Sequence, residues 1–253
     1  MGRPRQAPLV AIAHDVAAEW GVELGPPFAL ARFSYVAPAG VEAVLKVTPP
    51  EDDEADEEPD ALALWAGEGV VRLLRRDDRR RAMLIERASP GSDLADVDED
   101  EATEIAVSVA TRLWRPASTP FRWIGDHVPR WLDTPSLGAG RDLLPLARSL
   151  YDELDVGRTT LVHGDFHHHN LLAHDGRYVA IDPKPMLGEP EYDVASFLWN
   201  PIPYRMRLDT TERRLAAFAS VGLDEHRMRA WAVIRGSYLG ADDHEVEVLR
   251  ALL

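Results

Sequence analysis

Asp165 and Asn170 stand five residues apart in the loop of Leu161-Val162-His163-Gly164-Asp165-Phe166-His167-His168-His169-Asn170-Leu171-Leu172, with apolar residues on either side. Twelve residues beyond Asn170, the apolar run Ala180-Ile181 ends in Asp182. A carboxylate, an amide and a second carboxylate, delivered from a loop and a strand end, suit phosphoryl transfer. That reaction needs a carboxylate to orient an acceptor hydroxyl and take its proton, and oxygen ligands to hold Mg²⁺ on the phosphates of ATP. Asp165 is the candidate for the first task. Asn170 and Asp182 are the candidates for the second, two side chains being enough because Mg²⁺ keeps several of its waters. An ordinary turn is the competing reading, since Gly, Asp and Asn all favour turns. The run His167-His168-His169 invites zinc, but consecutive loop histidines converge poorly on a tetrahedral ion and the chain has no cysteine to help. One imidazole is expected to pack or cap the loop, and another, with His168 as candidate, to face the acceptor.

The pattern His-Gly-Asp-x-x-x-x-Asn followed by Ile-Asp is similar to the catalytic and metal motifs of the aminoglycoside phosphotransferase and choline kinase superfamily, relatives of the protein kinases. The longer strings HGDFHHHNLL and AIDPKPMLGEPEYDVASFLWNP resemble the group holding streptomycin 6-kinases and hydroxyurea phosphotransferases. SYVAPAG with AVLKV, DALALWAGEGVVRLL, MLIERASPGSDL and RAWAVIRGSYLG extend the resemblance over nearly the whole chain. It implies a two-lobed, protein-kinase-like α+β fold, with an antiparallel-sheet lobe at 1–88 and a mainly helical lobe at 89–253. It implies an ATP- and Mg²⁺-dependent kinase acting on a small molecule, with streptomycin, a hydroxyurea-type compound or another metabolite as acceptor. A nucleotide-binding pseudokinase is the non-enzymatic alternative.

The resemblance also implies roles. Lys46 would bind the α- and β-phosphates, and Glu58 would pair with it, although Glu54, Glu57 and Asp60 compete for that place. Glu86-Arg87-Ala88 would form the hinge whose backbone meets adenine. Asp193 would lie under the catalytic loop and accept hydrogen bonds from its backbone, with His163 as a further support. The segment Phe28–Tyr35, expected to cover the phosphates, departs from the family pattern in having no glycine, and Ser34 is the candidate donor in its place. Glu189 reads either as a turn acid or as an anion facing a cationic acceptor. Lys184 either lies near phosphate or substrate, or balances Asp182.

Periodicity and turn residues outline the elements that carry these motifs. Residues 8–20 place Leu9, Ile12, Val16 and Trp20 on one helical face. Residues 28–36 and 42–48 read as strands joined at Pro38-Ala39-Gly40, the second alternating Val44 and Lys46 against Leu45 and Val47. A helix is expected at 58–67 with Pro59 in its first turn, then strands at 70–75 and 81–86, then a boundary at Ser89-Pro90-Gly91. Beyond it, helices are expected at 101–114, 141–155, 191–199, 211–220 and 225–239, with short strands at 159–162, 170–173 and 177–182. Pro116–Pro135 reads as irregular. Trp114, Trp123 and Trp131 are expected to divide between core packing and an acceptor pocket.

The bulk composition narrows the classes. The 253-residue chain is 45% hydrophobic, enough for a substantial core. Its net charge of −15, from 43 acidic and 28 basic residues, disfavours nucleic-acid binding and favours a cationic small-molecule partner. The six arginines from Arg72 to Arg81 are interrupted by Asp77 and Asp78 and read as a solvated hairpin. Only Lys46 and Lys184 are lysines, and both fall inside the motifs. Neither follows a glycine, so no Walker-type phosphate loop is present. No apolar run is long enough to span a membrane, and the opening residues lack the apolar core of a signal peptide, so a cytoplasmic location is the default.

Overall fold

A computed structural model describes residues 7–29, 33–201 and 206–253. In the first part of the chain lie α1 (Ala7–Trp20), β1 (Tyr35–Ala39), β2 (Ala43–Val47), α2 (Glu58–Trp65), β3 (Leu73–Asp77), β4 (Ala82–Glu86) and β5 (Pro90–Asp93). There follow α3 (Glu99–Leu113), β6 (Arg115–Pro116), α4 (Ile124–Asp133), α5 (Leu144–Leu154), β7 (Thr160–Val162), β8 (Leu171–His174), β9 (Arg177–Ala180) and β10 (Met186–Gly188). The chain continues with α6 (Glu191–Leu198), α7 (Leu208–Ala219), α8 (Glu225–Leu239) and α9 (Asp243–Ala251). These elements form two compact units. The first ends at Ser92 and takes in Leu172–Ile181, and the second comprises Asp93–Leu171 and Asp182–Leu253.

In the first unit, β1, β2, β4 and β3 make an antiparallel sheet in that order. Strand alternation sends Ala43, Leu45 and Val47 of β2 into a core with Leu9, Ala13, Val16 and Ala17 of α1. Val44 and Lys46 therefore lie on the opposite face. Helix α2 buries Glu58, Ala61, Leu62 and Trp65, a stripe at helical spacing that includes one acid. It stops where Ala66 turns left-handed at φ 49°. The hairpin β8–β9 turns at Asp175-Gly176, both at positive φ, as a two-residue hairpin loop requires. It belongs to the first unit because Ala180 exchanges main-chain hydrogen bonds with Gly69 and Val71.

In the second unit, α8 is buried on most of its surface, which accounts for its unbroken run of Trp231, Ala232, Val233 and Ile234. Helices α5 and α6 pack on it, and α6 is buried along its whole length. Gly236 lets α9 and Trp199 approach, since a Cβ there would lie 2.5 Å from Leu249 and Trp199 side-chain atoms. Strands β10, β7 and β6 form a small sheet that leads into the loop carrying Asp165.

Several elements differ from their sequence expectations. The first strand begins at Tyr35 and includes Pro38 and Ala39, so the turn sits later, at Gly40 (φ 71°). Pro38 is tolerated because β1 is an edge strand. The region 116–135, expected to be irregular, contains α4, with Ile124, Val128 and Leu132 buried at four-residue spacing. Pro129 concealed it. The carbonyl of Gly125, which Pro129 cannot bond, receives the Tyr151 hydroxyl at 3.4 Å. Helix α9 was unanticipated although Asp242 and Glu245 form a capping box at its start. No helix among the described residues is long and apolar enough to cross a membrane.

Candidate active site

The first unit holds the candidate nucleotide residues. Lys46 Nζ donates to Glu58 Oε1 at 2.8 Å and to Oε2 at 2.6 Å. The side chains are 8% and 1% exposed. Of the competing acids, Glu58 is the one on the buried stripe of α2, which brings it to the Lys46 face of the sheet. A buried pair of this kind contributes little net stability, but losing one partner strands the other charge. Its effect is to fix the direction of the ammonium group.

At the proposed hinge, Glu86 accepts from Arg72 through Nε at 3.0 Å and Nη2 at 2.6 Å. His174 Nε2 lies 3.4 Å from the same carboxylate. Burial works against ionisation of Glu86, but the Arg72 bonds and the nearby His174 outweigh it and lower its pKa. The N–H groups of Glu86, Arg87 and Ser89 are taken by Arg72 O, Glu42 O and His174 Nδ1. That of Ala88 has no acceptor among the described residues. Ser34 is buried just before β1. Residues 30–32 of the glycine-free segment lie outside the described residues.

The second unit holds the candidate catalytic residues, and its backbone explains their spacing. Gly164 has φ +83°, and a Cβ there would lie 1.9 Å from the carbonyl oxygen of Lys184. Lys184 N–H bonds His163 O at 2.8 Å, so the loop and the segment after Asp182 are zipped together. Asp193 is fully buried in the first turn of α6. It accepts from His163 N at 2.9 Å, Gly164 N at 2.8 Å and Trp114 Nε1 at 3.0 Å. Burial pushes its pKa up against the pull of these bonds and of His163. His163 is itself buried, edge-on to Phe166, and its Nδ1 accepts from Asp165 N at 3.3 Å.

The Asp165 side chain is 29% exposed. Its Oδ1 lies 3.6 Å from Arg235 Nη2, and its Oδ2 lies 3.7 Å from His167 Nε2. Burial opposes its charge, but His167, Arg235 and His163 together hold the carboxyl well below the usual range. Asn170 Nδ2 donates to Asp165 O at 2.9 Å, which turns the amide oxygen the other way. Asp182 has φ +54°, a left-handed conformation that Asp tolerates better than most residues but that still stores strain. The oxygens of Asn170 and Asp182 are the hard donors that Mg²⁺ takes.

Two expectations look different in the structure. His168, the imidazole expected to face the acceptor, is 1% exposed and stacked on Phe197 at 4.1 Å and 10°. Burial, with Arg214 adding, pushes it down to about 2, so it is a neutral packing group. The imidazole beside Asp165 is His167, while His169 pairs with Asp93 at 2.8 Å. Glu189 is buried, its carboxylate bound by Arg227 and by Trp231 Nε1. Both oxygens are therefore engaged inside the unit. Lys184 contributes its backbone beneath Gly164. The three tryptophans are half-buried: Trp114 supports Asp193, Trp123 bonds Gly157 O, and Trp131 packs on Tyr238 at 5.3 Å.

Arg235 went unnoticed in the sequence. Its signal was a lone arginine within the otherwise apolar Trp231-Ala232-Val233-Ile234-Arg235-Gly236 run of α8. A charge at that position must have an internal partner, and Asp165 is the nearest carboxylate found for it.

Comparison with known proteins identifies the family. Residues 30–246 match the family described as aminoglycoside/hydroxyurea antibiotic resistance kinase. A streptomycin 6-kinase of Streptomyces glaucescens is 32% identical over 246 residues, covering 89% of this chain and 80% of that protein. A hydroxyurea phosphotransferase of Kitasatospora aureofaciens is 31% identical over 252 residues, covering 90% and 72%. The fold is that of aminoglycoside phosphotransferase APH(4)-Ia, solved as a complex with ADP and hygromycin B, with a TM-score of 0.61, 17% identity and 96% of each chain covered. The chain belongs to the aminoglycoside/hydroxyurea antibiotic resistance kinase family, whose members are small-molecule phosphotransferases with a protein-kinase-like fold.

Proposed function

We propose that this kinase moves the γ-phosphoryl group of ATP, with Mg²⁺, to a hydroxyl of a small acceptor of aminoglycoside or hydroxyurea type. The observation that carries the reading is the Asp193 clamp on His163 and Gly164, which fixes the backbone immediately ahead of Asp165. In the first unit, Lys46, held by Glu58, binds the α- and β-phosphates, and the hinge at Glu86 to Ala88 offers adenine the Ala88 N–H, which has no acceptor among the described residues. Ser34 lies next to the phosphate-covering segment. The net charge of −15 draws a cationic acceptor from a distance, within the reach that salt allows.

Asn170 and Asp182 are the residues that would hold Mg²⁺, which when bound neutralises charge on the phosphate oxygens. Asp165 orients the acceptor hydroxyl toward phosphorus. The new O–P bond forms as the bond to the β-phosphate oxygen breaks and ADP departs. The hydroxyl proton passes to Asp165 and then to solvent. A carboxylate held below its ordinary pKa is a weaker base, which suits a loose transition state in which the proton leaves late and positioning dominates. The test is Mg²⁺-dependent ADP release with streptomycin, other aminocyclitols and hydroxyurea offered in turn. Acceptor-stimulated release supports the reading, and ATP binding without release to any acceptor contradicts it.

A further inference from the structure

Helix α2 is short, and its two ends are held in different ways. Ala61, Leu62 and Trp65 are buried, so apolar packing fixes the end that leads to Ala66. The opening end, which carries Glu58, faces a cleft of about 250 Å³ whose lining includes Thr48, Asp56, Pro59, Arg76, Arg81 and Met83. Side chains leave that space unfilled, and charge bridges it instead. Arg76 Nη1 donates to Asp60 Oδ1 at 2.6 Å, while its Nε is braced by Asp78 Oδ1 at 2.6 Å. Arg81 donates to Asp56 and, through Nη2, to the carbonyl oxygen of Asp52 at 2.6 Å. The carbonyl of Arg81 in turn accepts from Thr48 N at 3.0 Å, two residues beyond Lys46. Arg81 therefore ties the end of β2, the strand of Lys46, to the segment that enters α2, the helix of Glu58. Arg76 ties the first turn of that helix to β3.

We propose that Arg76 and Arg81 are positioning residues: they latch the start of α2 against the sheet, keep Glu58 on Lys46, and so set the affinity for ATP. This rests on the reading of Lys46 as a phosphate ligand. Both pairs are partly exposed, and each is weak alone. A helix end held by such pairs opens more readily than one held by a core. When it opens, Glu58 leaves Lys46, and the ammonium loses the partner that fixes its direction. Apparent ATP affinity then falls in proportion to the fraction of molecules with Glu58 in place. Arg80 supplies the internal control. It stands in the same hairpin and carries the same charge, but it pairs with Asp77 and with Glu19 of α1 and not with α2.

The test is calorimetric binding of ATP with Mg²⁺ to the whole chain, as wild type, Arg76→Gln with Arg81→Gln, Arg80→Gln and Lys46→Met. The paired substitution is repeated in a Glu58→Gln background, and urea unfolding establishes that each variant is folded. The paired variant is expected to bind ATP about three- to tenfold more weakly than wild type, and Arg80→Gln within about twofold of it. In the Glu58→Gln background the paired substitution should add less than about twofold, because there is no longer a carboxylate to position. Arg76→Gln alone, which leaves Arg81 joined to Asp56, should lose about two- to fourfold and carries the same comparison if the paired variant does not fold. An equal loss in Arg80→Gln overturns the inference, since net charge would then account for the effect. So does a full further loss in the Glu58→Gln background, which would mean that the arginines act on ATP by another route. Wild-type affinity in a folded paired variant, with weakened binding in Lys46→Met, overturns the latch and leaves the phosphate role of Lys46 standing. Unchanged affinity in Lys46→Met overturns both.

Discussion

The carboxylate of Asp193, in the first turn of α6, accepts the main-chain N–H groups of His163 and Gly164 at 2.9 and 2.8 Å. It thereby fixes the direction in which the chain enters Asp165. Asp193→Asn keeps one acceptor and turns a donor toward an N–H. The expected outcome is a fall in kcat of about 10- to 100-fold from misplacement of Asp165, with a stability loss of about 2 kcal/mol. Affinity for ATP, measured by calorimetry, should change by less than about threefold. A loss confined to ATP affinity would remove the clamp from the catalytic account.

Gly164 and Gly176 make a paired test of backbone geometry. Both have positive φ, at 83° and 75°. Alanine at 176 meets nothing within 4 Å, whereas at 164 its Cβ would lie 1.9 Å from Lys184 O. Gly176→Ala should cost about 1 kcal/mol, the left-handed penalty alone. Gly164→Ala should cost several times that in urea unfolding, or abolish turnover where the loop yields instead. Equal effects would mean that the Lys184 contact is not a constraint.

Lys46 and Glu58 are expected to couple strongly. Removing either partner alone, as Lys46→Met or Glu58→Leu, should destabilise by about 3–5 kcal/mol because a buried charge loses its ion-pair partner. The double variant should recover most of that stability. It should nonetheless fail to use ATP productively, since the ammonium is gone. Additive losses in urea denaturation would show that the two side chains do not interact as the geometry describes.

His168 gives a pH dependence with a definite sign. Its folded-state pKa is lowered to about 2, while an unfolded histidine titrates near its ordinary value of about 6.5. Below pH 6.5 the unfolded chain binds a proton that the folded chain refuses. Stability therefore falls as pH drops, by up to about 1.4 kcal/mol per pH unit from this group, until the folded pKa is reached. His168→Gln should flatten the stability curve between about pH 6 and 4 by close to one proton's slope. An unchanged slope would show that the imidazole charges within the native stack on Phe197.

The loop motif was legible because it depends on residue type and short spacing: Gly164 at positive φ, Asp165, and Asn170 five residues on. Glu58 came from the family resemblance, and the buried stripe of α2, where 58, 61, 62 and 65 share a face, explains why it and not Glu54, Glu57 or Asp60 meets Lys46. What escaped depends on tertiary neighbours. Helix α4 hid behind Pro129 because the compensating Tyr151 hydroxyl comes from another helix. His168 and Glu189 looked available because nothing local shows that Phe197, Arg227 and Trp231 close over them. Arg235 drew no notice in the sequence, and its place becomes clear only when Asp165, 70 residues away in sequence, is found beside it.

The central claim is that Asp165 orients an acceptor hydroxyl for phosphoryl transfer. It is tested most directly by acceptor-stimulated, Mg²⁺-dependent ADP release in wild type and Asp165→Asn, with ATP and acceptor affinities measured in parallel. The account predicts a fall in kcat of at least about 100-fold in the variant, with both affinities within a few-fold of wild type. Near-normal turnover in a folded Asp165→Asn protein would contradict it.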